Sequence, residues 1–304
     1  MSNLQSGPSS DLRAAYEECS SITRREAKNF YYAFLTLPGE RRRAISVVYA
    51  FCRYCDDSVD DQRSTETTET KLARLGGIRE DLEKSYAGTA ASPVFLALAD
   101  VARRYEIPQE YFQDIVSGVE SDLVKNRYQN FQELRQYCYQ VASVVGLICL
   151  QIFGYRDARA KDHAIDLGLA MQLTNIARDV QEDLGMNRVY LPQDEMARFG
   201  YTEGELQAGI VNESFINLMQ FQAQRAREYF HSGFQLLPYL SFRSRACPAV
   251  LGQLYCKVLE RIESADYDVL HHRVSLSKLQ KIRVMAQTWL GSTLSGLYPG
   301  AVKP

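Results

Sequence analysis

Apolar residues recur at helical spacing along almost the whole chain, from residue 11 to about residue 297. The alternating, β-branched runs that are typical of strands are few. No motif repeats at a period of roughly 20 to 50 residues, so a helical solenoid is not expected. The sequence therefore predicts an all-α protein whose helices pack as a globular bundle. Polar, glycine or proline residues interrupt the pattern at residues 62–70, 88–93, 108, 185–192 and 238–248.

The chain is expected to form one domain behind a short tail. Residues 1–10 are rich in serine and have too little apolar surface to offset the entropy of ordering, which predicts a loose tail. A hydrophobic content of 46% is enough for a sizeable core. None of the breaks has the composition of a domain linker, so residues 11–304 are predicted to be a single helical domain.

Composition and charge exclude several classes of protein. With 35 lysines and arginines against 37 acids, the chain has no basic field that would attract nucleic acid. Seven cysteines scattered among helical stretches indicate reduced thiols rather than a disulfide framework. No Rossmann, Walker or serine-hydrolase glycine motif is present, so a small partner handled by other chemistry is expected.

The N-terminus and the longest apolar run bear on location. Residues 1–20 lack the basic start and apolar stretch of a signal peptide, which predicts a cytoplasmic protein. The apolar run at residues 141–153 is shorter than the roughly 20 residues that span a bilayer, so it is predicted to be a core helix. Peripheral contact with a membrane, for release of an apolar product, stays compatible with this sequence.

The most informative motif is an acidic block at residues 56–61, with the sequence DDSVDD. Asp56 and Asp60 stand one helical turn apart, as do Asp57 and Asp61. Like charges at this spacing destabilise a helix by a few tenths of a kcal/mol per pair, which makes a purely structural role a poor explanation. A bound cation would relieve the repulsion.

A second polar stripe lies more than a hundred residues later in the chain. Asn175, Asp179 and Asp183 follow one another at four-residue intervals, and apolar neighbours can anchor the same helix in the core. One such stripe is commonly a solvated helix face. Two stripes of oxygen ligands, with neither histidine nor cysteine among the stripe positions, indicate Mg²⁺ that bridges carboxylates to phosphate oxygens. Mn²⁺ is the expected substitute.

Three longer segments carry a resemblance to a known family. They read FYYAFLTLPGERRRAISVVYAFCRYCDDSVDD, YCYQVASVVG and QLTNIARDVQEDLGMNRVYLP, in this order along the chain. Over residues 21–281 the chain resembles the squalene/phytoene synthase family. The resemblance implies a prenyltransferase with the isoprenoid synthase fold, a helical bundle around a central cavity, that joins two allylic prenyl diphosphates head to head.

The resemblance also implies a role for individual residues. Asp56, Asp60, Asn175, Asp179 and Asp183 match the positions that hold Mg²⁺ and the two diphosphates. Tyr137 matches a tyrosine beside the reacting carbons. The positions implied to contact or orient diphosphate are Lys28, Tyr49, Arg53, Gln172, Arg178, Tyr255, Arg273 and Lys281.

The expected lining of the pocket comprises Phe30, Phe34, Ser46 and Val141. Ser46 departs from the family pattern, because relatives carry a large aromatic residue there that can form the floor of the pocket. Ser143 stands where the tyrosine motif more often has glycine, which could reshape the helix beside the reacting carbons. Neither departure removes a metal ligand.

These motifs do not determine whether the product has 30 or 40 carbon atoms. The main prediction is condensation of two farnesyl diphosphates to presqualene diphosphate, continuing in some relatives to squalene or dehydrosqualene, as precursors of hopanoids, sterols or carotenoids. The alternative is phytoene synthesis from two geranylgeranyl diphosphates. NADPH is expected only if the product is squalene, and downstream isoprenoid enzymes are candidate partners.

Two other interpretations compete with head-to-head condensation. A terpene cyclase would share the acidic helices and Mg²⁺, but it would act on one diphosphate. A segment like YCYQVASVVG is not a hallmark of terpene cyclases. A non-catalytic assembly protein could use the same fold. Such relatives have degraded acidic motifs, whereas both motifs are intact here.

Overall fold

The computed structural model describes residues 10–59 and 66–294, without the side chains of residues 28, 29 and 290–294. Within these ranges the chain is built from α-helices and contains no β-strand, in agreement with the predicted all-α class. Two isolated bridges, Arg127–Val189 and Tyr155–Leu240, are the only β-type pairings in this part of the chain. The predicted tail lies outside the described residues except for Ser10, where the first helix begins.

The helices follow one another with short connections. They are α1 (Ser10–Glu26), α2 (Lys28–Phe34), α3 (Gly39–Asp57), α4 (Thr68–Tyr86), α5 (Pro93–Arg104), α6 (Gln109–Val124), α7 (Phe131–Cys138), α8 (Val144–Phe153), α9 (Ala160–Arg178), α10 (Val180–Gly185), α11 (Gln193–Arg198), α12 (Glu203–Gln207), α13 (Glu213–Gly233), α14 (Phe242–Ser264) and α15 (Lys278–Leu294). A π-helical turn, Tyr139–Ser143, joins α7 to α8, and a 3₁₀ turn, Phe234–Tyr239, precedes α14.

Polar residues fix the beginnings of several helices. Asn130 accepts a hydrogen bond from the backbone of Glu133 at 3.0 Å and starts α7. Asn212 accepts one from Phe215, also at 3.0 Å, and starts α13. Thr202 and Glu205 form a complete capping box at α12. Such caps satisfy backbone donors that the first turn leaves unpaired, which typically stabilises a helix by about 1 kcal/mol.

The core centres on α9, which packs against α8, α13, α14 and the π turn. On the other side of the bundle, α3 packs against α1, α5 and α8. Phe51 of α3 is fully buried and makes edge-to-face contacts with Phe95 at 5.9 Å and Phe112 at 5.2 Å. All seven cysteines are free, as the sequence predicts.

One break in the sequence pattern does not fall where it was predicted. Pro248 lies inside α14 rather than between helices. The actual interruption before α14 is the 3₁₀ turn that contains Pro238. Pro248 is the seventh residue of α14 and has no N–H to donate to the carbonyl four residues earlier, so the helix continues there with one backbone hydrogen bond fewer.

The segment predicted to be a core helix is part of a longer one. Counting α7, the π turn and α8 together, Phe131–Phe153 is long and apolar enough to cross a membrane by length and composition alone. Half of its most apolar window is buried within the protein, and Val144, Ile148 and Leu150 lie in the core. The buried residues agree with the sequence prediction, although the helical segment extends beyond the apolar run at residues 141–153.

The π turn lies very close to α9. A Cβ atom added to Gly168 of α9 would stand only 2.6 Å from the Cα atom of Ser143. Ser143 itself is fully buried, and its hydroxyl donates a hydrogen bond of 2.8 Å to the carbonyl of Ile165. Glycine at position 168 therefore permits this close approach. The buried Ser143 hydroxyl is satisfied by its hydrogen bond.

Candidate active site

A polar cavity of about 420 Å³ lies where α3, α6, α7, α9 and α10 meet. It brings together one acidic residue of the DDSVDD block and the whole second stripe. Its lining consists of Asp56, Val59, Val119, Asp122, Tyr137, Gln172, Asn175, Ile176, Arg178, Asp179, Asp183, Arg188 and Tyr190. Asp60, the other predicted ligand of the first block, lies outside the described residues.

The second stripe is not carried by one straight helix, as the sequence pattern suggested. Asp179 separates α9 from α10 and has non-helical torsion angles, with φ −100° and ψ 16°. The backbone nevertheless keeps its helical register, because Asp179 donates to the Asn175 carbonyl at 2.8 Å and Asp183 donates to the Asp179 carbonyl at 2.9 Å. Asn175, Asp179 and Asp183 therefore all border the cavity despite the break.

The donor set fits a hard divalent cation in its chemistry. Carboxylate and amide oxygens line the cavity, and the side chain of Asn175 is positioned by a 3.2 Å hydrogen bond from its nitrogen to Gln172. Among residues 10–59 and 66–294, no three carboxylate, thiol or imidazole side chains already converge as a metal cluster. Mg²⁺ usually takes only a few protein ligands, because it keeps several of its waters and also binds substrate phosphates.

Crowding of like charges is visible at Asp183. Burial and the neighbouring carboxylate of Asp179 raise the pKa of Asp183 to about 7. Arg188 acts in the opposite direction without offsetting these effects. Arg188 alone therefore does not neutralise the Asp183 carboxylate, and a bound cation would do so.

Asp183 should make the stability of the metal-free protein depend on pH. In the folded state the raised pKa lets this acid keep a proton that the unfolded chain has lost. The free energy of unfolding should then fall as pH rises, by about 1.4 kcal/mol per pH unit for one proton. We expect the fall between the ordinary pKa of 3.8 and the folded value of about 7, measured by chemical denaturation in EDTA at half-unit steps.

The variant Asp183→Asn should lose this slope. Asp162→Asn, which changes an exposed aspartate on α9, is the matched control and should keep it. Equal slopes in the two variants would show that Asp183 is not the group that titrates.

A hydrogen-bonded group of one aspartate and two tyrosines forms one wall of the cavity. Asp122 accepts from the Tyr137 hydroxyl at 3.1 Å and from the Tyr190 hydroxyl at 2.7 Å. Burial, followed by the nearby charge of Asp122, raises the pKa of Tyr137 well above its ordinary value. Both phenols therefore keep their protons and serve as hydrogen-bond donors.

Sequence reasoning did not select Asp122, Arg188 or Tyr190 as site residues. Arg188 donates a 3.2 Å hydrogen bond to the Asp122 backbone carbonyl, and the bridge between Arg127 and Val189 holds this segment beside the end of α6. The NRVYLP stretch within the third family segment was the available signal for Arg188 and Tyr190. Asp122 resembles a family position too, but a lone aspartate near a helix end is commonly structural.

Two of the three predicted arginines, Arg53 and Arg178, have different surroundings. Arg178 borders the cavity and pairs with Asp179, with a distance of 2.7 Å between Nε and Oδ1. Arg53 pairs instead with Asp57, one turn later on α3, and does not border the polar cavity. Its Nε atom is buried and has no hydrogen-bond partner among the described residues.

An apolar cavity, also of about 420 Å³, extends inward from the polar one. The two cavities share six lining residues, Asp56, Val119, Asp122, Tyr137, Gln172 and Asn175. The two cavities therefore adjoin, and the charged side chains lie at the polar end. The inner part is bordered by aliphatic, aromatic and thiol side chains such as Val145, Cys149, Leu150, Phe153, Leu167 and Leu236.

Three of the four predicted lining residues, Phe30, Phe34 and Val141, border the apolar cavity. Phe30 lies at the centre of an aromatic cluster, with ring centroids 6.3 Å from Tyr49 and 6.2 Å from Tyr255. Tyr49 and Tyr255, predicted to contact diphosphate, therefore lie along this apolar space. Tyr255 also lies close to the side chain of Asn175 and so reaches the polar end.

The prediction for Ser46 is wrong in its placement. The Ser46 carbonyl accepts a 3.0 Å hydrogen bond from Thr23 of α1, and the Ser46 hydroxyl donates to the Arg42 carbonyl. Ile45 and Val48 of the same helix border the cavity instead. Successive residues on a helix point about 100° apart, so Ser46 faces α1 rather than the pocket floor.

The remaining predicted contacts lie farther out. Arg273 is 80% exposed and pairs at 3.2 Å with Glu182 of α10, close to Asp183 in sequence. Lys281 lies in the first turns of α15 and borders neither cavity. Lys28 begins α2, and its side chain lies outside the described part of the structure.

Comparison with known proteins assigns this site to a family. A family model described as squalene/phytoene synthase matches residues 23–280. The chain belongs to the squalene/phytoene synthase family. It is accordingly an enzyme, a prenyltransferase that joins two prenyl diphosphates head to head.

Relatives of this squalene/phytoene synthase match it along nearly their whole length. A 15-cis-phytoene synthase from Synechococcus elongatus is 36% identical over 295 residues, which are 93% of this chain and 95% of that protein. A phytoene synthase from Mycobacterium tuberculosis is 36% identical over 289 residues, 94% of each chain.

Solved structures of squalene/phytoene synthases share the fold. A dehydrosqualene synthase with bound ligand superposes with a TM-score of 0.83 at 29% identity, covering 91% of this chain and 96% of that one. A squalene synthase from Alicyclobacillus acidocaldarius gives 0.80 at 28% identity, covering 84% and 96%. The helical bundle described above is thus the isoprenoid synthase fold.

Proposed function

We propose that this enzyme condenses two geranylgeranyl diphosphates to phytoene, through prephytoene diphosphate. The observation that carries the proposal is the polar cavity, which brings Asp56 together with the second stripe and adjoins an apolar cavity with which it shares six lining residues. This division suits a substrate with a diphosphate head and a long hydrocarbon chain. The names of the relatives from Synechococcus elongatus and Mycobacterium tuberculosis favour the C40 product over the C30 product that was the main sequence-based prediction.

The polar end would hold the diphosphate groups. Asp56, Asn175, Asp179 and Asp183 would bind Mg²⁺, which when bound would neutralise diphosphate charge and favour heterolysis of the allylic C–O bond. Arg178 already lies in the cavity, and its planar guanidinium suits two phosphate oxygens at once. A bound diphosphate would therefore compete with Asp179 for this arginine.

The apolar end would hold the prenyl chains and protect the carbocation. Ionisation leaves the electron pair on diphosphate, and the double bond of the second substrate attacks the allylic cation. Loss of a proton closes the cyclopropyl intermediate. Tyr137, fixed by Asp122, lies where both cavities meet, so its ring can face the cation while its hydroxyl stays bound to the aspartate.

A second candidate product is supported by the solved structures. The dehydrosqualene synthase, with a TM-score of 0.83, is named for a C30 product. The same residues would then act on two farnesyl diphosphates. Presqualene diphosphate would be the intermediate, and NADPH would be required only for squalene.

Product analysis distinguishes these reactions. We expect purified enzyme with Mg²⁺ and geranylgeranyl diphosphate, without NADPH, to form phytoene. The product is detected by mass spectrometry of lipid extracts. Parallel reactions contain farnesyl diphosphate, with and without NADPH, and extracts are also treated with phosphatase to reveal cyclopropyl alcohols. A C30 product from farnesyl diphosphate, with none from the C20 substrate, would overturn the phytoene assignment, and a cyclic product would overturn head-to-head condensation.

A further inference from the structure

A third tyrosine packs behind the two that bind Asp122. The ring centroid of Tyr128 lies 5.4 Å from that of Tyr137 and 5.7 Å from that of Tyr190, and the latter two lie 5.2 Å apart. Each ring therefore contacts the other two. Tyr137 and Tyr190 border the polar cavity, whereas Tyr128 borders neither cavity and is 1% exposed. Tyr128 thus supports this part of the cavity wall from behind.

Neighbouring segments hold Tyr128 in place. Its backbone carbonyl accepts a hydrogen bond of 2.9 Å from Gln193, which directly follows the NRVYLP stretch. The ammonium group of Lys125 lies 4.8 Å from the centroid of the Tyr128 ring and pairs with Glu133 of α7 at 2.7 Å. A cation over an aromatic face is attracted by the quadrupole of the ring. None of these contacts uses the Tyr128 hydroxyl.

The three phenol groups differ in their hydrogen bonds. The hydroxyls of Tyr137 and Tyr190 both donate to Asp122. The Tyr128 oxygen is buried and has no hydrogen-bond partner among residues 10–59 and 66–294. What Tyr128 supplies to this cluster is therefore its ring.

The supported wall stands at the boundary between the two cavities. Tyr137 borders both of them, and Asp122 does as well. Bound Mg²⁺ keeps several waters at the polar end, whereas a carbocation on the apolar side has to be kept from water. A tyrosine that left this boundary would connect the two spaces.

We propose that Tyr128 is a positioning residue whose ring holds Tyr137 and Tyr190 against Asp122 and so keeps water from the allylic cation. The inference rests on the head-to-head condensation in the proposed function, whether the substrate has 15 or 20 carbon atoms. In that reaction diphosphate leaves with the electron pair of the allylic C–O bond, and the second double bond captures the cation. Water at the same place would form a new C–O bond, lose a proton and give a prenyl alcohol.

The ratio of products tests this role independently of the amount of folded enzyme. Tyr128→Leu keeps an apolar side chain and removes the ring. We expect the ratio of prenyl alcohol to condensation product to rise about tenfold, because two lost aromatic contacts are enough to change a rate by that factor. The reactions are run in water labelled with heavy oxygen. Label in the alcohol identifies capture of the cation, whereas cleavage at phosphorus leaves the label on phosphate.

Matched variants separate the ring from the hydroxyl and from general stability. Tyr128→Phe keeps the ring and should retain the wild-type ratio. Phe215→Leu removes a fully buried ring of α13, 5.1 Å from that of Tyr201, and should lower the melting temperature without changing the ratio. Tyr137→Leu should raise the ratio, and adding Tyr128→Leu should then raise it less than it does alone, because one residue acts through the other.

Three results would overturn the proposal. They are an unchanged ratio in Tyr128→Leu, an equal rise in Tyr128→Phe, which would assign the effect to the hydroxyl, and an equal rise in Phe215→Leu, which would assign it to general loss of rigidity. If Tyr128→Leu does not fold, Lys125→Met takes its place, since it removes only the cation over the ring and should raise the ratio in the same direction; an unchanged ratio there would also overturn the proposal. Failure of the proposed function would instead appear in the wild type, as a C30 or cyclic product.

Discussion

Asp179→Asn is expected to lower kcat at saturating substrate by about a thousandfold, equivalent to about 4 kcal/mol of transition-state stabilisation. The change removes a charge from the centre of the second stripe, at the point where α9 gives way to α10. If Asp179 holds Mg²⁺, the concentration of Mg²⁺ that gives half-maximal activity should rise as well. Both quantities follow from Mg²⁺ titrations of initial rates.

The matched control for this variant is Asp162→Asn, near the beginning of the same helix and exposed. It should leave kcat and the Mg²⁺ dependence unchanged. Asp179 also pairs with Arg178, so its removal could act through the arginine alone. In that case substrate affinity would change while the half-maximal Mg²⁺ concentration stayed the same, and Asp179 would not be a metal ligand.

Gly168→Ala is expected to destabilise the protein by about 2 kcal/mol or more, although alanine is the better helix former. The added methyl group would stand 2.6 Å from the Ser143 Cα atom and 2.9 Å from its nitrogen. Both are backbone atoms and cannot rotate away as a side chain can. Thermal melting should show a lower transition temperature, and product formation should fall because the π turn follows Tyr137 closely.

The same substitution at Gly77 provides the control. Gly77 lies within α4 and has no atom within 4 Å of an added Cβ. Gly77→Ala should therefore stabilise the protein by up to about 1 kcal/mol through helix propensity alone. A stable Gly168→Ala variant would mean that the π turn and α9 can move apart without cost.

Local spacing was enough to find three of the four aspartates that line the polar cavity, together with Asn175. The four-residue intervals between Asp56 and Asp60 and along Asn175, Asp179 and Asp183 are local features of the sequence, so periodicity reveals them directly, although the second set crosses the break between α9 and α10. The structure brings Asp56, Asn175, Asp179 and Asp183 to one cavity. Their roles as metal ligands stay predictions, as does the part assigned to Asp60.

The contacts that sequence reasoning missed depend on how separate helices pack. Asp122 meets Tyr190 across 68 positions of the chain, which no local pattern encodes. Ser46 was misplaced because a rotation of one residue on α3 decides whether a side chain faces α1 or the cavity. Arg53 pairs with Asp57 on its own helix, and sequence alone does not say which of two anions a guanidinium faces.

The π turn between α7 and α8 keeps the cavity-facing side chains of the two helices on one side. Tyr137, Val141, Val145, Cys149 and Phe153 are spaced by four residues and all border the apolar cavity. On an unbroken α-helix each step of four would rotate the side chain by about 40°, so that Phe153 would be about 160° out of phase with Tyr137. The wider π turn reduces the rotation per residue and corrects much of this drift. If the same residues formed an unbroken α-helix, the tyrosine and the deep wall of the cavity would face away from each other, while every side chain kept its identity.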